Sequence, residues 1–333
     1  MDCMNKTKKL HIVYGDYTLG LKGVNTCGEE FSYIFSYGAG GMESLVIDGK
    51  EWLYRVPKPT FWRALTDNDR GSRFHLRSGM WLAADMFLGC VNTRVNVDGQ
   101  EIAQFDAPEN NRYTPNEEAE EVLITFTYET ITTPTTQVEV SYRVSMDGTI
   151  LVSVHYHGKQ GLPQLPVFGM RFIMPTKADG YTYEGLSGET YPDRMAGGIP
   201  GTYEVEGLPV TPYLVPQDCN VHMETKWLKI QRSTTLNNVD KGPHAGEKKS
   251  FSLYITAEDK PFAFACIPYT AEELENAAHQ EELPPARRTV LTVLGAVRGV
   301  GGIDSWGADV EETYHIDAEK DIRYSFIISG TLK

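Results

Sequence analysis

The strongest constraint on the fold is a period-two alternation. Between positions 138 and 144, Val138, Val140, Tyr142 and Val144 fall on one side of an extended chain, with Glu139, Ser141 and Arg143 on the other. Successive side chains of a strand point to opposite faces, so this spacing describes a half-buried antiparallel strand. Similar segments run the length of the 333 residues: 11–14, 31–35, 45–47, 51–54, 122–128, 150–154, 167–173, 227–231, 251–256, 262–266, 289–294 and 322–328. Asp48-Gly49 between two of them reads as a two-residue hairpin turn, since both types tolerate positive φ, and Asp147-Gly148 turns the chain into the strand at 150.

Helix is scarce. Thr270-Ala271-Glu272-Glu273 has the spacing of a capping box, which predicts a helix over about 270–277. A second is expected over Arg77–Phe87, with Trp81 and Asp85 on different faces. The polar, acidic stretch Ala107–Glu121 reads as a surface loop, and residues 1–9 as a disordered tail. With no repeat and no composition break, residues 10–330 read as one unit of packed β-sheets, all-β with few short helices.

Charge and composition narrow the function. A net charge of −14, with no basic run beyond short pairs such as Arg287-Arg288, does not suit nucleic acid. No apolar run approaches the roughly 18–20 residues of a membrane span. The polar start lacks the apolar core of a secretory signal, and the five cysteines (Cys3, Cys27, Cys90, Cys219, Cys266) form no C-x-x-C pair. The expectation is reduced thiols in the cytoplasm.

Four clusters concentrate Gly, Pro, aromatic and polar residues in what read as loops between strands. In the first, Pro59 to Gly71, Asp67 and Asp69 flank Asn68 and follow Arg63. This suits a cation or sugar-hydroxyl site, or a loop whose Asx side chains cap its own amides. The second, Tyr183 to Arg194, holds Glu184, Glu189, Tyr191 and a possible Asp193-Arg194 ion pair. One carboxylate beside a Tyr is not a glycosidase, which needs two, about 5 Å apart for retention. The third, Thr211 to Asp218, is proline-framed and suits a sheet edge or a contact surface. In the fourth, Gly295 to Gly307, glycines 299, 301 and 302 permit sharp bends ahead of Asp304, Ser305 and Trp306. That trio suits a pyranose, with the indole on its C–H face and the polar pair on its hydroxyls; the competing reading buries Trp306 as a core aromatic. No helix follows the glycines, so a dinucleotide loop fails. His155 and His157 share one strand face and could share a metal, but no third ligand stands at a recognisable spacing.

Taken in order, the clusters resemble the C-terminal region of family 2 β-galactosidases, and in particular the separate small subunit of the heterodimeric enzymes of lactic acid bacteria. Residues 61–69 are similar to a R-A-P-x-D-N-D signature, 184–194 to G-x-G-P-x-E-x-Y-x-D-R, 212–217 to P-Y-x-x-P-Q and 301–306 to G-G-D-D-S-W. The likeness covers roughly His11 to Ile328. Departures are Leu65 for Pro, Ser187-Gly188 for Gly-Pro and Ile303 for Asp; Asp85 replaces a glycine in a segment, 83–87, that aligns with a mobile loop bordering the family's site.

The resemblance implies a galactose-mutarotase-like β-supersandwich and a retaining β-galactosidase acting on galactosides such as lactose. The two catalytic carboxylates would sit on a (β/α)₈ barrel, a pattern absent here, so they belong to a large partner subunit. The family's Mg2+, with Na+ as a second candidate, is expected there too, with no cofactor, metal ligand or catalytic residue in this chain. By the same resemblance Trp306 binds substrate, Asp304 and Ser305 contribute more weakly, and Arg63, Asp67, Asn68, Asp69, Glu189, Tyr191, Asp193 and Arg194 hold the motif loops. Alternatives are a stand-alone aldose mutarotase-like enzyme, with His155, His157 or His222 as acid, and a carbohydrate-binding module.

Overall fold

In a computed structural model the described residues are 9–102, 117–237, 242–244 and 249–332. The expected tail and most of the acidic stretch (1–8 and 103–116) lie outside them. The end of that stretch is not a loop, because Glu118–Ala119 and Glu121–Glu129 are strands.

The alternation becomes layers. Among the described residues, a ten-stranded antiparallel sheet runs in the order Pro200–Glu206, Gly180–Leu186, Trp227–Arg232, Phe251–Ala257, Ile322–Ser329, Ile150–Tyr156, Gln137–Ser145, Glu121–Glu129, Gly89–Val97, Gln100–Ile102. Val138, Val140, Tyr142 and Val144 are fully buried on one face of it, as their spacing requires. Burying such a side chain is worth about 1.5–3 kcal/mol, so a one-residue slip of this strand is prohibitive.

Two smaller sheets pack side by side on that face. The first is the meander Leu10–Tyr14, Thr18–Val24, Glu30–Ser36, Gly41–Ile47 and Lys50–Glu51, with Glu118–Ala119 on its edge. It meets the large sheet through Phe35 on Tyr142, ring centroids 5.4 Å apart. The second runs Val221–Thr225, Phe262–Ile267, Thr289–Val297, Val167–Met174, Arg55–Thr60. Its Phe172 packs edge-on to Phe326, and its Phe168 on Tyr156. The all-β expectation holds. No described helix is long and apolar enough to cross a membrane.

The local signals fare unevenly. At Asp48-Gly49, φ is positive at both positions and Ile47 pairs with Lys50, as a two-residue turn demands. Helix Ala271–Asn276 starts at Thr270 with the expected capping box. The helix expected over 77–87 is instead two short pieces, Phe74–Ser78 and a 3₁₀ turn Gly79–Trp81, followed by turns with Ala83 at φ 59°. Tertiary demands break it. Trp81 stacks on Phe61 in the core and donates its indole N–H to Pro163 O, while Asp85 is pulled onto Arg171 Nη1 at 2.7 Å. Burial pushes the Asp85 carboxyl up and the Arg171 charge opposes it. The segment 83–87 is thus pinned at its middle while Met86 and Phe87 remain exposed.

Candidate functional site

Asp67 and Asp69 do not lie in a loop. They open the short helix Asp67–Gly71, where Thr66 caps Asp69 N and Asp69 Oδ2 accepts from Thr66 N at 3.0 Å. Thr66-x-x-Asp69 is a capping spacing legible in the sequence and missed in the reading above. Asp67 and Asp69 also part company: Asp67 is exposed and pairs with Arg70, while Asp69 is buried between two arginines.

Those arginines are the centre of the site. Arg63 reaches Asp69 at 2.9 and 3.2 Å and donates to Gly299 O at 3.2 Å. Burial disfavours the Arg63 charge, but Asp69 and Asp218 outweigh it and hold the guanidinium protonated. Arg298 lies over the Phe74 ring, contacts Asp69 at 3.3 Å and bonds Asp309. Burial works against the Asp309 charge, yet Arg298 and Arg77 hold its carboxyl below the usual range. A buried charge is tolerable only when paired and hydrogen-bonded, and here each charge has its partner.

The second cluster arrives from the other side. Its first part is strand, Gly180–Leu186, so Glu184 is not a loop acid; it bonds Lys226 Nζ at 2.7 Å and the Trp227 indole at 2.9 Å. The expected Asp193-Arg194 ion pair is long, 3.9 Å, because each side chain has a better target. Asp193 accepts from Val300 N at 3.0 Å and Gly301 N at 2.8 Å, and Arg194 donates to Gly301 O. Asn68 adds a bond to Val300 O at 2.9 Å. Glu189 accepts from Asn220 N at 2.5 Å and Thr211 Oγ1 at 3.2 Å.

The third cluster forms no sheet edge. Gln217 Oε1 accepts from Asp67 N at 3.0 Å, and Tyr191 donates to Asp218 Oδ2 at 2.9 Å. Burial pushes the Asp218 carboxyl up to about 6, against the pull of Arg63 and Tyr191. Leu214, in contrast, is exposed.

The first and second clusters therefore meet on one backbone stretch of the fourth, 299–301, while the third ties those two together through Gln217–Asp67 and Asp218–Tyr191. Gly301 and Gly302 take φ 70° and 79° as the bends require, and a Cβ on Gly307 would lie 2.6 Å from Gly71 O. Asp304 Oδ1 caps Trp306 N at 2.9 Å and Ala308 N at 3.1 Å, and these amides hold the carboxyl below its usual range. Ser305 is exposed. Trp306 is 92% exposed, which rules out the core-aromatic reading. Arg298 and Asp309 are the site residues the sequence did not mark, having no partner within a few positions to betray them.

The histidines separate as well. His222 is buried against Phe264 and bonds Tyr181 Oη at 3.0 Å and Gly188 O at 2.8 Å. Burial lowers it to about 4, so it stays neutral and structural. His155 and His157 lie elsewhere, on the outer side of the large sheet. Among the described residues, the one grouping of three potential metal-ligating residues is Glu139 with these histidines. Imidazole donors do not suit Mg2+, so no fit for that ion is found here.

A family model described as the β-galactosidase small chain matches residues 27–328. The β-galactosidase small subunit of Latilactobacillus sakei is 61% identical over 325 residues, covering 98% of this chain and 99% of that protein. A β-galactosidase of Halalkalibacterium halodurans is 32% identical over 331 residues, covering 98% of this chain but 29% of that protein. A solved structure of a putative aldose 1-epimerase from Escherichia coli K12 superposes over 97% of this chain and 99% of its own, at 10% identity and a TM-score of 0.41.

Proposed function

This chain belongs to the β-galactosidase small-chain family, and from that premise we propose that it completes the sugar pocket of a two-chain retaining β-galactosidase. The observation that carries the reading is Trp306, held 92% exposed on a loop whose root two other motifs brace. Leaving a bare indole in water is unfavourable, and fixing its backbone costs further ordering entropy. Such a platform gains its use when a sugar face and a partner surface cover it.

The catalytic carboxylates lie on the large partner in this reading, with Mg2+ and Na+ beside them. In a longer relative the matching region is part of one polypeptide; in the reading proposed here the remainder comes from a second chain. This chain walls the pocket, excludes water and stacks the galactoside, such as lactose, while proton transfers and the glycosyl-enzyme bond form on the partner. The partner-facing surface we propose is the exposed apolar run Leu76, Met80, Leu82, Met86 and Phe87. It is continuous with the Trp306 loop through the Arg77–Asp309 ion pair. The cytoplasm suits the free thiols of Cys27 and Cys90.

The test is co-expression of the two chains, followed by a β-galactosidase assay of each alone and of the mixture. Activity confined to the mixture is expected; hydrolysis by the isolated 333-residue chain would sink the proposal.

A further inference from the structure

We propose that Glu139, His155 and His157 form a site for a borderline divalent transition metal of the Zn2+ class. Strand pairing sets Glu139 directly opposite His155, and both side chains leave the outer face of the large sheet. The histidine rings lie 3.8 Å apart between centroids. Glu139 Oε2 is 3.8 Å from His155 Nδ1 and 3.6 Å from His157 Nε2, and one donor atom from each residue falls within 4.8 Å of the others. Donors around a tetrahedral Zn2+ sit roughly 3.4 Å apart, so each Glu139–histidine approach needs to close by only a few tenths of an ångström.

The surroundings orient the donors. Asp321 Oδ2 lies 2.7 Å from His155 Nε2 and is itself held by Gly158 N at 3.0 Å. A carboxylate accepts, so Nε2 is the donor to Asp321 and Nδ1 is the ring nitrogen turned toward the site. This carboxylate–histidine arrangement is how proteins fix a metal-binding imidazole. On the other side Arg94 holds Glu139 Oε1 at 3.1 Å, leaving Oε2 for the ion. Two imidazoles and one carboxylate select Zn2+, Co2+, Ni2+ or Cu2+ over Mg2+ and Ca2+. Glu139 and His155 also line a cleft of about 660 Å³, which leaves room for water at a fourth position. The site lies apart from the Trp306 loop, so its fate is independent of the function proposed above.

Calorimetric titration of the full chain with Zn2+ tests it. One equivalent is expected, lost in the His155→Gln/His157→Gln double variant and weakened at least about tenfold in Glu139→Gln; Asp321→Asn is expected to weaken it by about 10- to 100-fold. Co2+ loading should give visible absorption without a thiolate charge-transfer band, which separates this site from cysteine binding. Should the double variant fail to fold, histidine ring resonances of the wild-type chain followed during Zn2+ addition serve instead, and those of His155 and His157 should shift together. Absence of stoichiometric binding, binding that survives the double substitution, or unmoved ring resonances would overturn the proposal.

Discussion

The carboxylate of Asp193 accepts the backbone N–H of Gly301 at 2.8 Å across 108 residues of chain. With its second bond to Val300 N, this ties the edge of one motif to the root of the loop carrying Trp306. Hydrogen bonds to a charged group contribute about 1.5–3 kcal/mol each. Asp193→Ala should therefore cost the isolated chain about 2–4 kcal/mol in denaturant unfolding. In the reconstituted enzyme it should lower kcat/KM at least about tenfold, a loss of about 1.4 kcal/mol. Asp193→Asn, keeping one acceptor, should fall between. Unchanged kinetics in the alanine variant would show that the brace does not position the site.

Trp306 calls for the opposite pattern. Its side chain packs on little, so Trp306→Ala should leave stability within about 0.5 kcal/mol. KM for lactose in the assembled enzyme should rise about tenfold, with the covalent step still observable. Trp306→Phe should restore part of the loss. An unaltered KM would remove this residue from the substrate site.

Phe87 probes the proposed interface. It is 61% exposed, so Phe87→Asp has no core to disrupt. Burying an unpaired carboxylate against a partner is costly, and association with the catalytic chain should weaken at least about tenfold by sedimentation. Equal association would place the contact elsewhere, with exposed Leu214 the next position to test.

Asp218 gives a pH prediction with a definite sign. Its carboxyl is raised from an ordinary 3.8 to about 6, so the folded chain holds this proton more tightly than the unfolded one. That contribution is fully present below about pH 4 and is lost as pH rises through about 6. Asp218→Asn keeps an acceptor for Tyr191 and has no proton to lose. The stability of wild type relative to this variant should decline between about pH 4 and 6 and then level off. A constant difference across that window would show that Asp218 does not titrate there.

How much was legible beforehand follows from how far each signal reaches. Thr270 and Glu273 are three residues apart, so their capping box was readable from the chain alone and is present. The Arg77–Phe87 segment had a helical pattern, but burying Trp81 and pairing Asp85 with Arg171 required turns instead. Each motif could be noticed by composition. That Asn68, Asp193, Arg194 and Arg63 converge on residues 299–301 could not, since those partners are more than 100 residues away.

The third ligand of the histidine pair marks the boundary most clearly. A two-residue turn at Asp147-Gly148 would set Glu139 opposite Tyr156. The turn closes instead between Ser145 and Thr149, shifting register by one and setting Glu139 opposite His155. By itself the sequence determined which residues alternate between core and solvent, because that depends on neighbours one and two positions away. Only the tertiary structure decided register, sheet stacking and which distant polar groups meet, because those depend on how all the strands share one buried face.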